Sequence, residues 1–492
     1  MTDVITRNLI SQTIEIHEPS GEIVRYEVII RMIDFYRDWL GSVGIVRGQR
    51  GIICLPNSAN MQALFFACLE LGIRFIGAEE REFYKFPRYR VANVDFAITC
   101  SDWKEEMDDL PYPLHVMPDV ADISGIELRT HIDPEVEPDE PAILAITSGT
   151  TGAPKIIQHT HQTILPAIRR AMEWYDPKDR VLFYMNLNHL GVLTIFTLPV
   201  LLTGCRIVLC RNNFVEPLIE GLTTRSLGGI DKLLMFDWSW GRIVNAYKGE
   251  QPLLGTNKPT VITGGKPIPP SFIESLLING AGEVKVAYGM TEAPPPVIVK
   301  SVTSVEGYSR SFLGQPLEGW RTIVMANGSL LLRGDGIGLD NRGRSLSDPL
   351  GWFMTPDLCW LEGDEIHIRS RRTINKRNGQ TVFLDDIIAE MFFKPLDVPF
   401  VICPLQTKED EDLKICAFTG RNQIMIDGGP TNLETINSII RSTMIPEYQI
   451  DHLFLMDEIP DNGLKPDHTK LRKIALQTIA EQGEKGEYLV KI

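Results

Sequence analysis

Short apolar runs and helical spacings alternate through the first two thirds of the chain. Gly51-Ile52-Ile53-Cys54-Leu55 predicts a buried strand. Asn57-Ser58 then caps a helix whose apolar residues Met61, Leu64, Phe65, Cys68 and Leu69 recur at helical spacing, and a second strand starts at Ile73–Ile76. This strand–helix–strand rhythm predicts a parallel sheet with helices on its faces. It returns at Val181–Met185, Val192–Leu202 and Ile207–Cys210, and once more across residues 259–287. Between about 80 and 140 the pattern is weak and rich in Pro, Asp and Glu, which predicts only a surface connection.

From about residue 311 to 370 the period shifts towards alternation, and Asn327-Gly328 between two apolar triplets predicts a hairpin. Beyond about 371 the pattern is that of a compact α+β unit. Helices are expected near 385–393 and 432–441, and strands near 400–403, 413–419 and 452–456. The fold class is therefore α/β, with a large N-terminal part of parallel-rich sheets, a β-rich stretch and a small C-terminal α+β part.

Composition narrows the class. The 492 residues, 43% hydrophobic and 23% charged, are enough for more than one domain and a sizeable core. A net charge of −15 argues against nucleic acid or an anionic membrane as the main partner. No apolar stretch is long enough to span a bilayer, and Met1-Thr2-Asp3-Val4 lacks the layout of a signal peptide. The eight cysteines are scattered through apolar runs without metal-ligand or redox spacing, as expected of a reducing, cytoplasmic compartment. Any anionic ligand must therefore meet positive charge supplied locally.

One stretch supplies it. Thr147-Ser148-Gly149-Thr150-Thr151-Gly152-Ala153-Pro154-Lys155 follows the apolar run Ala142–Ile146. A strand feeding such a loop presents backbone N–H groups and hydroxyls to a polyphosphate, while glycine permits close approach and the lysine adds charge. It is not a Walker A loop, because two residues separate Gly152 from Lys155 and no Ser or Thr follows the lysine.

The string resembles the phosphate-binding loop of the adenylate-forming enzymes: acyl-CoA synthetases, nonribosomal-peptide adenylation domains and luciferases. Tyr288-Gly289-Met290-Thr291-Glu292 resembles that superfamily's tyrosine–glycine–x–threonine–glutamate motif. Gly264-Gly265-Lys266 is similar to its adenine-site turn, and Gly351-Trp352-Phe353-Met354-Thr355-Pro356-Asp357 to its ribose-binding segment. The motifs run in family order over most of residues 45–480.

The resemblance implies ATP-dependent conversion of a carboxylic acid to an acyl-adenylate with release of pyrophosphate. A thiol, of coenzyme A or of a carrier's phosphopantetheine, then displaces AMP. It further implies that Thr147, Ser148, Gly149, Thr150, Thr151, Gly152 and Lys155 cradle phosphates, and that Gly265, Lys266 and Tyr288 hold adenine. Thr291 would touch the α-phosphate, Glu292 would help bind Mg2+, and Asp357 would accept the ribose hydroxyls. A core over residues 1–371 and a mobile lid over 372–492 are implied, with the active site in the cleft between them.

Some assignments stay open at this level. The bridging lysine of the lid falls on Lys465 or Lys470, because Leu464 interrupts the expected glycine–lysine pair. Strand alternation aligns Arg371 with the hinge arginine, with Arg369 as the alternative, and the pivot near Thr373 lacks its usual charge. His189 either lines the acyl pocket or is structural. Pro356 replaces a glycine, so the turn before Asp357 should differ or tighten.

Amino-acid-activating members carry an aspartate where this chain has Gly191. A buried ammonium without a carboxylate is costly, so the expected acid is not an α-amino acid; an aryl or aliphatic acid is preferred. Coenzyme A as acceptor requires a basic patch, for which Arg369, Arg371, Arg372, Lys376 and Arg377 are candidates. The alternatives are an acyl-AMP ligase that loads a separate carrier protein, and a degenerate adenylate-binding scaffold.

Overall fold

The computed structural model describes residues 3–78, 94–107, 110–120, 125–132, 135–147, 155–184, 189–210, 215–223, 229–249, 251–255 and 257–371. Beyond these it describes residues 375–377, 380–382, 401–405, 414–420, 425–426, 429–430, 432–443, 449–460 and 466–490. The chain divides into two compact units. One comprises residues 1–323, 331–354 and 361–367, the other residues 324–330, 355–360 and 368–492.

The larger unit holds two sheets. In the first, Arg50–Cys54 pairs in parallel with Arg74–Ala78 on one side and with Phe96–Thr99 on the other. The intervening helix Ala59–Glu70 starts where the Ser58 hydroxyl accepts the Met61 N–H at 3.1 Å. Nearly every residue of that helix is buried, so its apolar character runs all round rather than along one face. Phe96–Thr99 corrects the expectation of a mere surface connection over 80–140. This strand is wholly buried and extends the sheet to Leu114–Val116. Its four residues are too few to raise a periodic signal between charged and proline-rich flanks.

The second sheet contains a run of six parallel strands in the order Glu283–Met290, Thr260–Gly264, Lys232–Leu234, Arg180–Phe183, Arg206–Leu209 and Glu15–His17. Thr260–Gly264, inside this run, is buried throughout, as a parallel strand covered on both faces requires. Beyond Glu283–Met290 the pairing turns antiparallel through Ala293–Val302 and Phe312–Pro316.

A charged cluster is sealed beneath the N-terminal segment. The Arg7 guanidinium, fully buried, donates to Glu70 at 2.7 Å and 2.9 Å and to Asp34 at 2.7 Å. Glu70 also accepts from the Arg7 backbone N–H at 2.9 Å and from Arg37 at 3.2 Å. Each charge tolerates burial only because the others are there.

In the smaller unit, Val401–Leu405, Lys414–Gly420, His452–Met456 and Glu487–Val490 form one sheet, with Leu471 and Ala475 of helix His468–Gln482 in its core. Phe418, Phe454 and Tyr488 stack at successive centroid distances of 4.8 Å and 4.7 Å. The predicted strands and the helix near 432–441 are present, the latter as Leu433–Thr443; the helix expected at 385–393 lies outside the described residues. The Asn327-Gly328 turn forms, with the Met325 N–H donating to Ser329 O at 2.9 Å and the Ser329 N–H to Asn327 Oδ1 at 3.0 Å. Seven of the eight cysteines are buried, Cys100 being partly exposed, and all are free thiols. Among the described residues no helix is long and apolar enough to cross a membrane.

Glu70→Ala leaves the Arg7 cation sealed against one carboxylate instead of two. Loss of a buried ion-pair partner costs about 3–5 kcal/mol. The first transition of a urea titration should move to correspondingly lower denaturant, whereas an unmoved midpoint would show that the cluster adds no stability.

Candidate functional site

The glycine- and hydroxyl-rich loop is entered from Pro141–Thr147 and left by Lys155–Thr160. These strands pair antiparallel, with Thr147 opposite Lys155, so the loop's two ends are neighbours. Ser148, Gly149, Thr150, Thr151 and Gly152 lie outside the described residues, as does Lys465.

Two further segments meet at the carboxyl ends of adjacent parallel strands, where open α/β sheets bind ligands. Gly264 is register partner of Ala287, so Gly265-Lys266 emerges beside Tyr288. Gly265 and Lys266 are exposed, while Tyr288 is 9% exposed. Past Tyr288 the register slips before Met290 pairs with Ala293, which leaves Thr291 and Glu292 as a two-residue hairpin turn, both partly exposed. Gly289 permits that slip, since a Cβ there would stand 2.6 Å from the Pro295 nitrogen.

His189 is exposed, and its carbonyl accepts the Leu193 N–H at 2.8 Å as the next helix begins. That helix passes through one π-helical stretch, Leu193–Thr197, of the kind often found at functional sites. Thr194, fully buried, donates its hydroxyl to Pro295 O at 2.7 Å and so ties this segment to the strand leaving the Thr291–Glu292 turn. A Cβ at Gly191 would stand 3.5 Å from His189 Nδ1 and 3.6 Å from Pro295 Cγ. The segments of residues 189–191, 264–266 and 288–292 thus converge.

Asp357 is fully buried and belongs to the 355–360 segment that groups with the smaller unit. The altered turn expected around Pro356 is absent. Phe353–Glu362 is one continuous strand, which the extended conformation that proline imposes on Thr355 suits. The Thr355 hydroxyl spans the proline, donating to Leu330 O at 3.0 Å and accepting the Asp357 N–H at 3.2 Å. Arg371 ends the strand Glu365–Arg371. Among the described residues no group of three His, Cys, Asp or Glu side chains gathers to hold a metal.

The sequence reading missed His159. Wholly buried on Lys155–Thr160, it places Nε2 2.7 Å from Thr291 O. Because a carbonyl only accepts, Nε2 must carry the proton. Burial holds the imidazole neutral, its pKa pushed down to about 4 despite the opposing effect of the Thr291 carbonyl. His161, buried just beyond, is likewise pushed down to about 4 by burial, and its Nδ1 accepts the Ile5 N–H at 3.2 Å. Ile157 and His159 at alternate positions mark one face of the strand, yet a histidine there carries no signal of which carbonyl it will meet.

Both histidines bind protons more readily unfolded, near pH 6.5, than folded. Their contribution to stability should therefore be complete above about pH 7 and lost as pH falls towards 4, by up to about 1.4 kcal/mol per pH unit for each. Denaturant midpoints measured from pH 7.5 to 5 should fall, and less steeply in His161→Gln; an identical slope in that variant would refute the assignment.

Residues 24–331 match the family of AMP-binding enzymes. The chain is 25% identical over 341 residues to the 2-succinylbenzoate–CoA ligase of Haemophilus influenzae, covering 67% of each. It is 22% identical to the 4-coumarate–CoA ligase of Pinus taeda, over 86% of this chain and 84% of that one. ATP-bound MatB from Rhodopseudomonas palustris shares the fold, with a TM-score of 0.77 over 96% of this chain and 99% of that one at 15% identity. Since the matched stretch takes in more than half of the chain, with Tyr288, Thr291 and Glu292 inside it, the protein belongs to the AMP-binding enzymes of the adenylate-forming superfamily.

Proposed function

We propose that this enzyme activates a small carboxylic acid with ATP, releasing pyrophosphate, and passes the acyl group to the thiol of coenzyme A. The observation that carries this reading is the convergence of Gly265-Lys266, Tyr288 and the Thr291–Glu292 turn at the carboxyl ends of two adjacent parallel strands. The CoA ligases among the relatives support the choice of acceptor.

A carboxylate is a poor electrophile and repels ATP, so catalysis here amounts to charge neutralisation and placement. In this reading the loop from Thr147 to Lys155 holds the outer phosphates, Tyr288 and Gly265 hold adenine, and Thr291 donates to the α-phosphate. Asp357 accepts the ribose hydroxyls, and Lys465 bridges acid and phosphate, with Arg371 at the hinge. Mg2+ is commonly held by one or two carboxylates together with substrate phosphates rather than by an all-protein cage. A single part-exposed Glu292 fits that mode. When bound with ATP the ion would neutralise phosphate charge.

Gly191, beside His189 and Pro295, offers no carboxylate to an α-ammonium, which favours an aryl or aliphatic acid lacking an α-amino group. A cytoplasmic location fits the free thiols. Transfer to a separate carrier protein's phosphopantetheine is the second reading, since that arm lacks the nucleotide for which coenzyme A needs a basic patch, with Arg369, Arg371, Arg372, Lys376 and Arg377 as the candidates.

Carboxylate-dependent ATP–pyrophosphate exchange across aryl, aliphatic and amino acids tests the first half-reaction. Exchange with one non-amino class is expected; a best substrate among α-amino acids would refute the Gly191 argument, and ATP binding without exchange would favour a scaffold. Glu292→Gln should raise the Mg2+ concentration needed for half-maximal exchange, and an unchanged titration would remove it from the metal site. Lys465→Ala should lose adenylation while retaining ATP binding, and full activity would transfer the role to Lys470.

A further inference from the structure

The two-residue turn that carries Thr291 and Glu292 is gripped through both of its backbone carbonyls. Thr291 O accepts from His159 Nε2 at 2.7 Å, and Glu292 O accepts from the Gly338 N–H at 2.9 Å. The two donors belong to one assembly. Gln158 and Leu339 exchange backbone hydrogen bonds, both 2.9 Å, and the Gln158 side chain donates to Asp340 O at 2.9 Å. Residues 338–340 are thereby stapled to the strand Lys155–Thr160. Gly338 lies so close that a Cβ would stand 2.7 Å from His159 Cε1 and 2.9 Å from Ile157 Cγ2.

We propose that His159 is a positioning residue: its Nε2–H holds the Thr291 carbonyl and so sets the Thr291 hydroxyl and Glu292 carboxylate in register with the strand that begins at Lys155. The turn presents its side chains to the ligand and its carbonyls to this clamp. The phosphate loop's outgoing strand and the hairpin turn belong to different sheets, and the imidazole is a direct polar link between them. Thr163 Oγ1, 3.5 Å from Nδ1, stands on the acceptor side of this tautomer. A fully buried donor whose partner is a carbonyl of a candidate site residue differs from a core histidine satisfied within its own element. An offset of about 1 Å in a group that contacts phosphate can cost on the order of 100-fold in rate.

This inference rests on the proposed roles of Thr291 and Glu292. Its test is pyrophosphate exchange, with Mg2+ titration and denaturant stability measured in parallel, on His159→Leu, His159→Gln and His159→Asn. The Gln amide reaches the place of Nε2, whereas the Asn amide reaches only that of Nδ1. His159→Leu should lower kcat by about 10–100-fold and raise the Mg2+ midpoint, with the acid KM changed less than about twofold. Gln should recover most of the loss and Asn should not.

Activity of the Leu variant within twofold of wild type per folded molecule, or a change confined to the acid KM, would overturn the proposal. Should Leu fail to fold, the Gln and Asn pair still decides, since equal activity in the two removes the role of the Nε2 donor. Glu292→Gln run alongside separates the two layers. If it leaves the Mg2+ titration unmoved, the reading of the turn fails; if it moves the titration and the His159 series does not, only the positioning role fails.

Discussion

A carbonyl removed from water needs a donor, and the arrangement around the Thr291–Glu292 turn follows from that requirement. The hairpin Glu283–Met290/Ala293–Val302 ends in two residues whose carbonyls are satisfied from outside the hairpin, by His159 and by the Gly338 N–H. The first grip demands a proton on Nε2, and because complete burial keeps the imidazole neutral, Nδ1 is then left as an acceptor. The second demands a backbone that comes nearer to His159 than any side chain would permit. With its carbonyls held in this way, the turn keeps Thr291 and Glu292 partly exposed.

The same economy of placement governs the neighbouring segments. The adjacent parallel strands Thr260–Gly264 and Glu283–Met290 set Gly264 opposite Ala287, so Gly265-Lys266 and Tyr288 arrive side by side. Thr194 then anchors the helix after His189 to Pro295 through its hydroxyl, which lies within the stretch Leu193–Thr197. Preorganisation of this kind matters for an enzyme whose task is to hold mutually repelling anions in line, because little covalent chemistry falls to the protein itself.

Elsewhere the chain accommodates its departures from the family pattern locally. Proline in place of glycine before Asp357 does not make a different turn; it makes a strand, and the Thr355 hydroxyl takes up the hydrogen bonding around it. The sealed Arg7 cluster ties the N-terminal segment to the helices Tyr26–Ser42 and Ala59–Glu70, through charges that are stable only together.

By itself the sequence determined the fold class, the first strand–helix–strand unit with its Ser58 cap, the Asn327-Gly328 turn and the motif order that marks an adenylate-forming enzyme. Those are local signals: hydrophobic period, capping hydroxyls, and glycine or hydroxyl density within a few residues. What only tertiary structure decided depended on partners far away in the chain. The buried strand Phe96–Thr99 owes its place to Arg50–Cys54 and Leu114–Val116 on either side, because four residues carry too little period to declare themselves. His159 meets Thr291 across 132 residues, and Gly338 reaches Glu292 from a further segment. A hydrogen bond between such distant positions leaves no spacing to read, since the chain between them sets only that they can meet and packing sets that they do.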